Sequence, residues 1–240
     1  LSDEKNNAAG YDFIVRGPAQ GPARRLVVLL HGYGRNAHFM DKMADAILAE
    51  VPDARIVMPM APETMRRPAD ETGNLLKVPG DVKKSDGQGA ELQWFDIEGG
   101  PKELRERVIR AATRMNQFID NQRDMMGIKD DDIAIMGFSQ GGGVALYSAL
   151  MRDNKVRCVV GHSTIFLGDT SFKSRPPVLL LHGAADPEFP QALFRQAEDA
   201  MKKYTDSLTT RLVPNLGHTT NKESRGIVAR YVRDAFKPAI

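Results

Sequence analysis

The sequence holds a single cysteine, Cys158, and that scarcity removes several classes of protein at once. One thiol cannot form an intrachain disulfide or assemble a thiolate metal cluster, so a reducing, cytoplasmic setting is the expected one. Long apolar runs are missing too. The longest are strand-length, far short of the roughly 20 residues that a membrane helix requires, and no bilayer-spanning segment is expected. Charge of either sign is not in excess: 33 Lys and Arg stand against 31 Asp and Glu, interspersed along the chain. That balance supplies no basic surface for tracking phosphates, which argues against nucleic acid as a partner and against steering to an anionic membrane. Internal repeats and low-complexity tracts are also lacking. The chain opens on Leu1 rather than methionine, so a processed or trimmed form is expected, with no apolar signal stretch in view.

What is present is enough apolar material for a substantial core: 240 residues, 42% of them hydrophobic, a length that commonly folds as one domain, taken here as 1–240. Short uninterrupted apolar runs at 26–30, 56–58, 133–136, 156–160 and 178–181 read as strands buried on both faces. Amphipathic stretches at 103–126 and 191–204 repeat their apolar residues at helical spacing, and 222–236 reads as a closing helix. Strand alternating with helix predicts an α/β fold, a mostly parallel central sheet with helices on both faces and ligands bound at the carboxyl ends of the strands. Residues 11–15 read as an edge strand and 209–213 as a late one. The stretch 63–100 breaks the pattern. It is rich in Gly, Pro and charge and is longer than ordinary connections, so it reads as a loop insertion near the site, with Leu75, Leu76 and Val78 candidates for an apolar flap.

Chemistry concentrates after the third apolar run. Gly137-Phe138-Ser139-Gln140-Gly141 fits G-x-S-x-G, in which a tight turn between strand and helix pushes a serine hydroxyl into a cleft. The context agrees, with a strand at 132–136 before it and a helix opening at Gly142 after it. A serine hydroxyl is a poor nucleophile at neutral pH and needs a base, usually histidine, held in the right tautomer by a carboxylate. Around such a turn the acid and the histidine follow the serine in that order, which removes His31 and His38. His162 and His182 precede Asp186, so neither can pair with it in that order. His218, in a glycine-containing loop between the last strand and the last helix, satisfies both order and location. Asp186, four residues beyond His182 and followed by Pro187, is the preferred acid, and Asp169 is its competitor.

A tetrahedral intermediate also needs two amide donors aimed at its oxyanion. Gln140, next to the nucleophile, supplies one; the loop His31-Gly32-Tyr33-Gly34 after an early strand supplies the other, from Tyr33 or alternatively Gly32. His31 is read as a buttress of that loop, because no set of His, Asp and Glu at ligand spacing accompanies it. No metal and no cofactor is called for.

Leu30-His31-Gly32-Tyr33-Gly34, Trp94-Phe95-Asp96, Gly137-Phe138-Ser139-Gln140-Gly141-Gly142, His182-Gly183-Ala184-Ala185-Asp186-Pro187 and Gly217-His218-Thr219 together resemble the carboxylesterase, phospholipase and acyl-protein thioesterase group of the α/β-hydrolase fold. The resemblance implies serine-dependent cleavage of carboxylic esters or acyl thioesters, with Ser139, Asp186 and His218 as the triad and Tyr33 and Gln140 as oxyanion donors. The sequence departs from that pattern at Tyr33, where leucine is frequent, at Gly161-His162-Ser163-Thr164, where a Ser-Gly pair is usual, and in the length of its insertion. Trp94 and Phe95 are expected to line the acyl site, although a tryptophan packs as readily into the interior. The expected partner is a small-molecule ester or acyl thioester, and a homodimer is compatible with the sequence. The rival readings are an amidase or peptidase using the same triad, and a silent ligand-binding relative.

Overall fold

Five parallel strand pairings run through the centre of the sheet and fix where the loops converge. The structure, a computed structural model, describes residues 6–18, 21–65, 91–168 and 172–237. In chain order the elements are β1 (Asn6–Ala8), β2 (Tyr11–Arg16), β3 (Arg25–Leu30), α1 (Asp41–Glu50), β4 (Ala54–Pro59), β5 (Glu63–Thr64), β6 (Leu92–Gln93), α2 (Pro101–Met126), β7 (Ile133–Phe138), α3 (Gln140–Met151), β8 (Cys158–His162), β9 (Val178–Gly183), α4 (Gln191–Met201), β10 (Leu208–Val213) and α5 (Lys222–Phe236). The main sheet runs β1-β2-β4-β3-β7-β8-β9-β10. From β4 to β10 the neighbours are parallel, while β2 joins β4, and β1 joins β2, antiparallel. This is the mostly parallel sheet expected from the alternating pattern.

Alternation along each strand divides the core into two layers. Leu26, Val28, Leu30, Ile133, Ile135, Val178 and Leu180 face a cluster shared with α2, α3 and α4. Val27, Leu29, Ala134, Met136, Leu179 and Leu181 face the other, closed by α1 and α5. Both faces being covered explains why these strands are written as unbroken apolar runs rather than as alternating ones. Cys158 sits inside the second layer, fully buried, and burial pushes its thiol up to about 12. No helix among the described residues is long and apolar enough to cross a membrane.

Three expectations shift. Residues 11–15 do form a strand, but not the edge: a hairpin turn with positive φ at Ala9 and Gly10 returns the chain, and β1 takes the edge. Alanine is uncommon at such a φ, so the turn carries little signal in the sequence. The strand expected at 156–160 is displaced to Cys158–His162, in register with β7 from Ala134↔Cys158 to Phe138↔His162. The helix expected to reach residue 204 ends at Met201. Of the stretch 63–100, its two ends are described, and they meet: β5 pairs antiparallel with β6, Glu63 opposite Gln93. Leu75, Leu76 and Val78 lie outside the described residues. Helix α2 begins directly after, with Pro101 at its first turn and the Glu103 carboxylate accepting from the Gly100 amide at 3.1 Å.

Candidate active site

Ser139 occupies the single residue between β7 and α3, at φ 52° and ψ −122°, a conformation costly for any residue but glycine. The turn is over-determined by its surroundings. A β-carbon on Gly137 would overlap the Gly141 carbonyl, and one on Gly141 would overlap the His31 carbonyl, so neither glycine has room for a side chain. The Ser139 amide donates to the His162 carbonyl at 2.9 Å, and the Ser139 carbonyl accepts from the amides of Gly142 and Gly143. The backbone is thus locked while the hydroxyl stays at the surface of a cleft, with the residue 8% exposed.

Two loops at neighbouring strand ends complete the arrangement. Asp186 follows β9 and His218 follows β10, and β9 and β10 are adjacent parallel strands, which brings residues 32 apart in sequence together. His218 Nδ1 lies 2.8 Å from Asp186 Oδ2, and His218 Nε2 lies 2.9 Å from Ser139 Oγ. A carboxylate accepts only, so Nδ1 carries the proton and Nε2 is left as the acceptor for the serine hydroxyl. The other carboxylate oxygen of Asp186 accepts from the amides of Glu188 and Phe189 at 2.9 and 3.0 Å. Burial raises the Asp186 carboxyl, but the hydrogen bonds from His218 and those two amides outweigh it, and the net shift is downward. The acid therefore stays ionised at neutral pH. Asp169, its competitor, lies outside the described residues.

His31 and Trp94 fix the loop beside the serine. The His31 ring has one donor and one acceptor role, because Nδ1 meets the Gly32 carbonyl at 2.8 Å and Nε2 accepts from the Ala61 amide at 3.0 Å. Burial pushes its pKa down to about 4, which keeps that neutral tautomer. The Gly32 carbonyl also accepts from the Arg35 amide, so the peptide linking Gly32 to Tyr33 is held from its oxygen side and its N–H faces the opposite way. The loop passes close to Ser139: a β-carbon at Gly32 would stand 3.2 Å from the Ser139 β-carbon. Gln140 is the first residue of α3, a position whose amide has no acceptor within the helix.

Gln140 does more than the sequence suggests. Its side-chain oxygen accepts from the Trp94 amide at 2.8 Å and its side-chain nitrogen donates to the Phe95 carbonyl at 2.6 Å, tying the far end of the long connection to α3. Trp94 and Phe95 then part ways. Phe95 lines the cleft, whereas Trp94 is 3% exposed, packs in the core and donates its indole N–H to the His31 carbonyl at 2.7 Å. The expectation that Trp94 lines the acyl site is therefore corrected: its one polar atom finds its partner inward, behind the loop.

The cleft has a volume of about 210 Å³ and is lined by Ser139 and Tyr33. Its wall is mostly aliphatic and aromatic, including Ile97, Leu104, Val108, Leu167 and Phe189. Glu188 is the exception, the one acidic or basic side chain among the lining residues described. Of the histidines set aside, His162 and His182 are both buried. His182 donates from Nε2 to the Phe189 carbonyl at 2.7 Å, and His162, whose Nδ1 lies 3.1 Å from the Ser163 hydroxyl, is pushed down to about 3 by burial. Among the described residues no group of His, Cys, Asp and Glu is arranged to hold a metal ion.

A parallel sheet of this order with a strained serine turn at the end of its central strand defines an α/β-hydrolase. The model of the phospholipase/carboxylesterase family matches residues 77–235, and the chain belongs to that family, an enzyme family of ester and thioester hydrolases. Among curated proteins it is 25% identical over 226 residues to Esterase YpfH of Escherichia coli (strain K12), covering 92% of this chain and 87% of that one. It is 23% identical over 231 residues to Acyl-protein thioesterase 1 of Neurospora crassa, covering 90% and 89%. Among solved structures, esterase PE8 superposes with a TM-score of 0.76 at 20% identity, covering 94% of this chain and 99% of that one.

Proposed function

We propose that the protein cleaves carboxylic esters or acyl thioesters of small molecules through an acyl-enzyme on Ser139, with His218 as general base and Asp186 orienting it. The observation that carries this reading is the unbroken row from Asp186 Oδ2 through His218 to Ser139 Oγ, at 2.8 and 2.9 Å. As Ser139 Oγ bonds to the acyl carbon, its proton passes to His218 Nε2, and the imidazolium is stabilised by Asp186. The amides of Gln140 and Tyr33 hold the oxyanion, the first of them at the positive end of α3. The bond from acyl carbon to leaving group then breaks, and the alcohol or thiol takes the proton from Nε2. Water attacks the acyl-enzyme, giving its proton to Nε2. The acid departs and Oγ recovers the proton. The apolar wall of Phe95, Ile97, Leu104 and Leu167 suits the acyl chain.

Labelling with a fluorophosphonate probe tests the reading. The unaltered protein is expected to form one covalent adduct, mapped to Ser139 by mass spectrometry, and Ser139→Ala to form none and to lose ester turnover by more than about 10⁴-fold. An unlabelled wild-type protein, or a variant that turns over normally, would overturn it.

A further inference from the structure

Of the glycines Gly137, Gly141, Gly142 and Gly143, the first three are there because no side chain fits. A β-carbon on Gly137 would overlap the Gly141 carbonyl, one on Gly141 would overlap the His31 carbonyl, and one on Gly142 would stand 2.7 Å from the Thr164 β-carbon. Gly143 is different. The nearest described atoms to its would-be β-carbon are Val108 Cγ2 and Thr164 Oγ1 at 3.8 Å and the Ile165 carbonyl oxygen at 4.0 Å, ordinary van der Waals separations. The residue lies within α3 and its φ is not positive, so the backbone there suits any residue, and glycine in a helix is less favourable than alanine. Among the described residues, neither packing nor backbone conformation asks for a glycine at this place.

Gly143, Val108, Thr164 and Ile165 line the same cleft as Ser139, so the space that a side chain at 143 would take belongs to that cleft. The two polar atoms bordering the space satisfy each other, the Thr164 hydroxyl donating to the Ile165 carbonyl at 3.3 Å, which leaves hydrocarbon as the fitting occupant. Gly143 stands one turn further along α3 than Ser139, about 6 Å by the helical rise. On the reading that Ser139 carries the acyl group, an acetyl group stops short of Gly143 and a chain of roughly six carbons reaches it. We propose that Gly143 determines chain-length specificity: its missing side chain leaves room for a linear acyl group of about six carbons or more to pass beside Val108 and Thr164. The helix gives up some stability at this position, and the cleft gains the space.

The test reads two quantities in the wild type, in Gly143→Ala and in Gly143→Ala combined with Val108→Ala. One is the ratio of kcat/KM for p-nitrophenyl octanoate to that for p-nitrophenyl acetate within each protein; the other is the urea unfolding midpoint. Wild type is expected to favour the octanoate. Gly143→Ala should lower the ratio by about tenfold, the effect of one methyl group in an apolar pocket, and at the same time raise the unfolding midpoint. Adding Val108→Ala, which reopens the space from the facing helix, should bring the ratio back toward that of the wild type. An unchanged ratio in Gly143→Ala, or a lowered midpoint with both esters declining alike, would overturn the role of Gly143 alone if the fluorophosphonate adduct on Ser139 still forms. Absence of that adduct from the wild-type protein would overturn the catalytic reading and this role with it.

Discussion

At the turn around Ser139 the backbone does the positioning, while a few ångströms away, in the cleft wall, side chains do. The turn is closed by carbonyls that leave no space at Gly137 or Gly141 and by amide hydrogen bonds to and from Ser139. The wall at Ile97, Leu104 and Leu167 has no comparable constraint, being apolar side chains of intermediate exposure on loops and on one face of α2. Chemistry that must be held within fractions of an ångström is built from the polypeptide itself, and selectivity is left to parts that exchange at little cost.

Three substitutions sharpen that contrast. The largest effect is expected for Asp186→Asn, which keeps the shape of the turn but offers His218 Nδ1 the wrong partner: kcat for ester hydrolysis should fall by about 10⁴-fold with the urea unfolding midpoint little changed. Next, Gly141→Ala forces a β-carbon against the His31 carbonyl and should lower the unfolding free energy by about 3 kcal/mol, measured by urea denaturation. A fully stable Gly141→Ala would break the claim that the backbone is locked there. The smallest effect is expected for Ile97→Ala, which should leave stability within about 0.5 kcal/mol and move the preferred acyl length, read from a panel of p-nitrophenyl esters, by less than about tenfold.

The same division decides what could be read from the sequence. That Ser139, Asp186 and His218 would meet was legible because a strained turn demands glycines at fixed offsets and because parallel strand order dictates which loops come together. The buried strands were legible for the related reason that two covered faces leave a continuous apolar run. What escaped was decided by side chains reaching across the fold. The Gln140 side chain spans 46 positions to Trp94, and no local pattern announces it. Trp94 was misplaced because its size suits either a pocket or a core, and only the inward carbonyl of His31 decides between them. Helix α1 went unread because Asp41–Glu50 is short and its buried Met43, Ala44 and Ile47 make a narrow stripe. Glu188 followed a proline in a turn, where an acidic residue is usually a solvated one.

The isolation of Cys158 bears on how the rim of the cleft can be interrogated. A thiol shut inside the sheet layer and held largely protonated does not meet aqueous alkylating agents, and the chain has no other. A sulfhydryl introduced in the cleft wall by Ile97→Cys would therefore be the sole reactive handle on the native protein, and capping it with reagents of graded size would narrow the space beside Ser139 step by step without changing another residue.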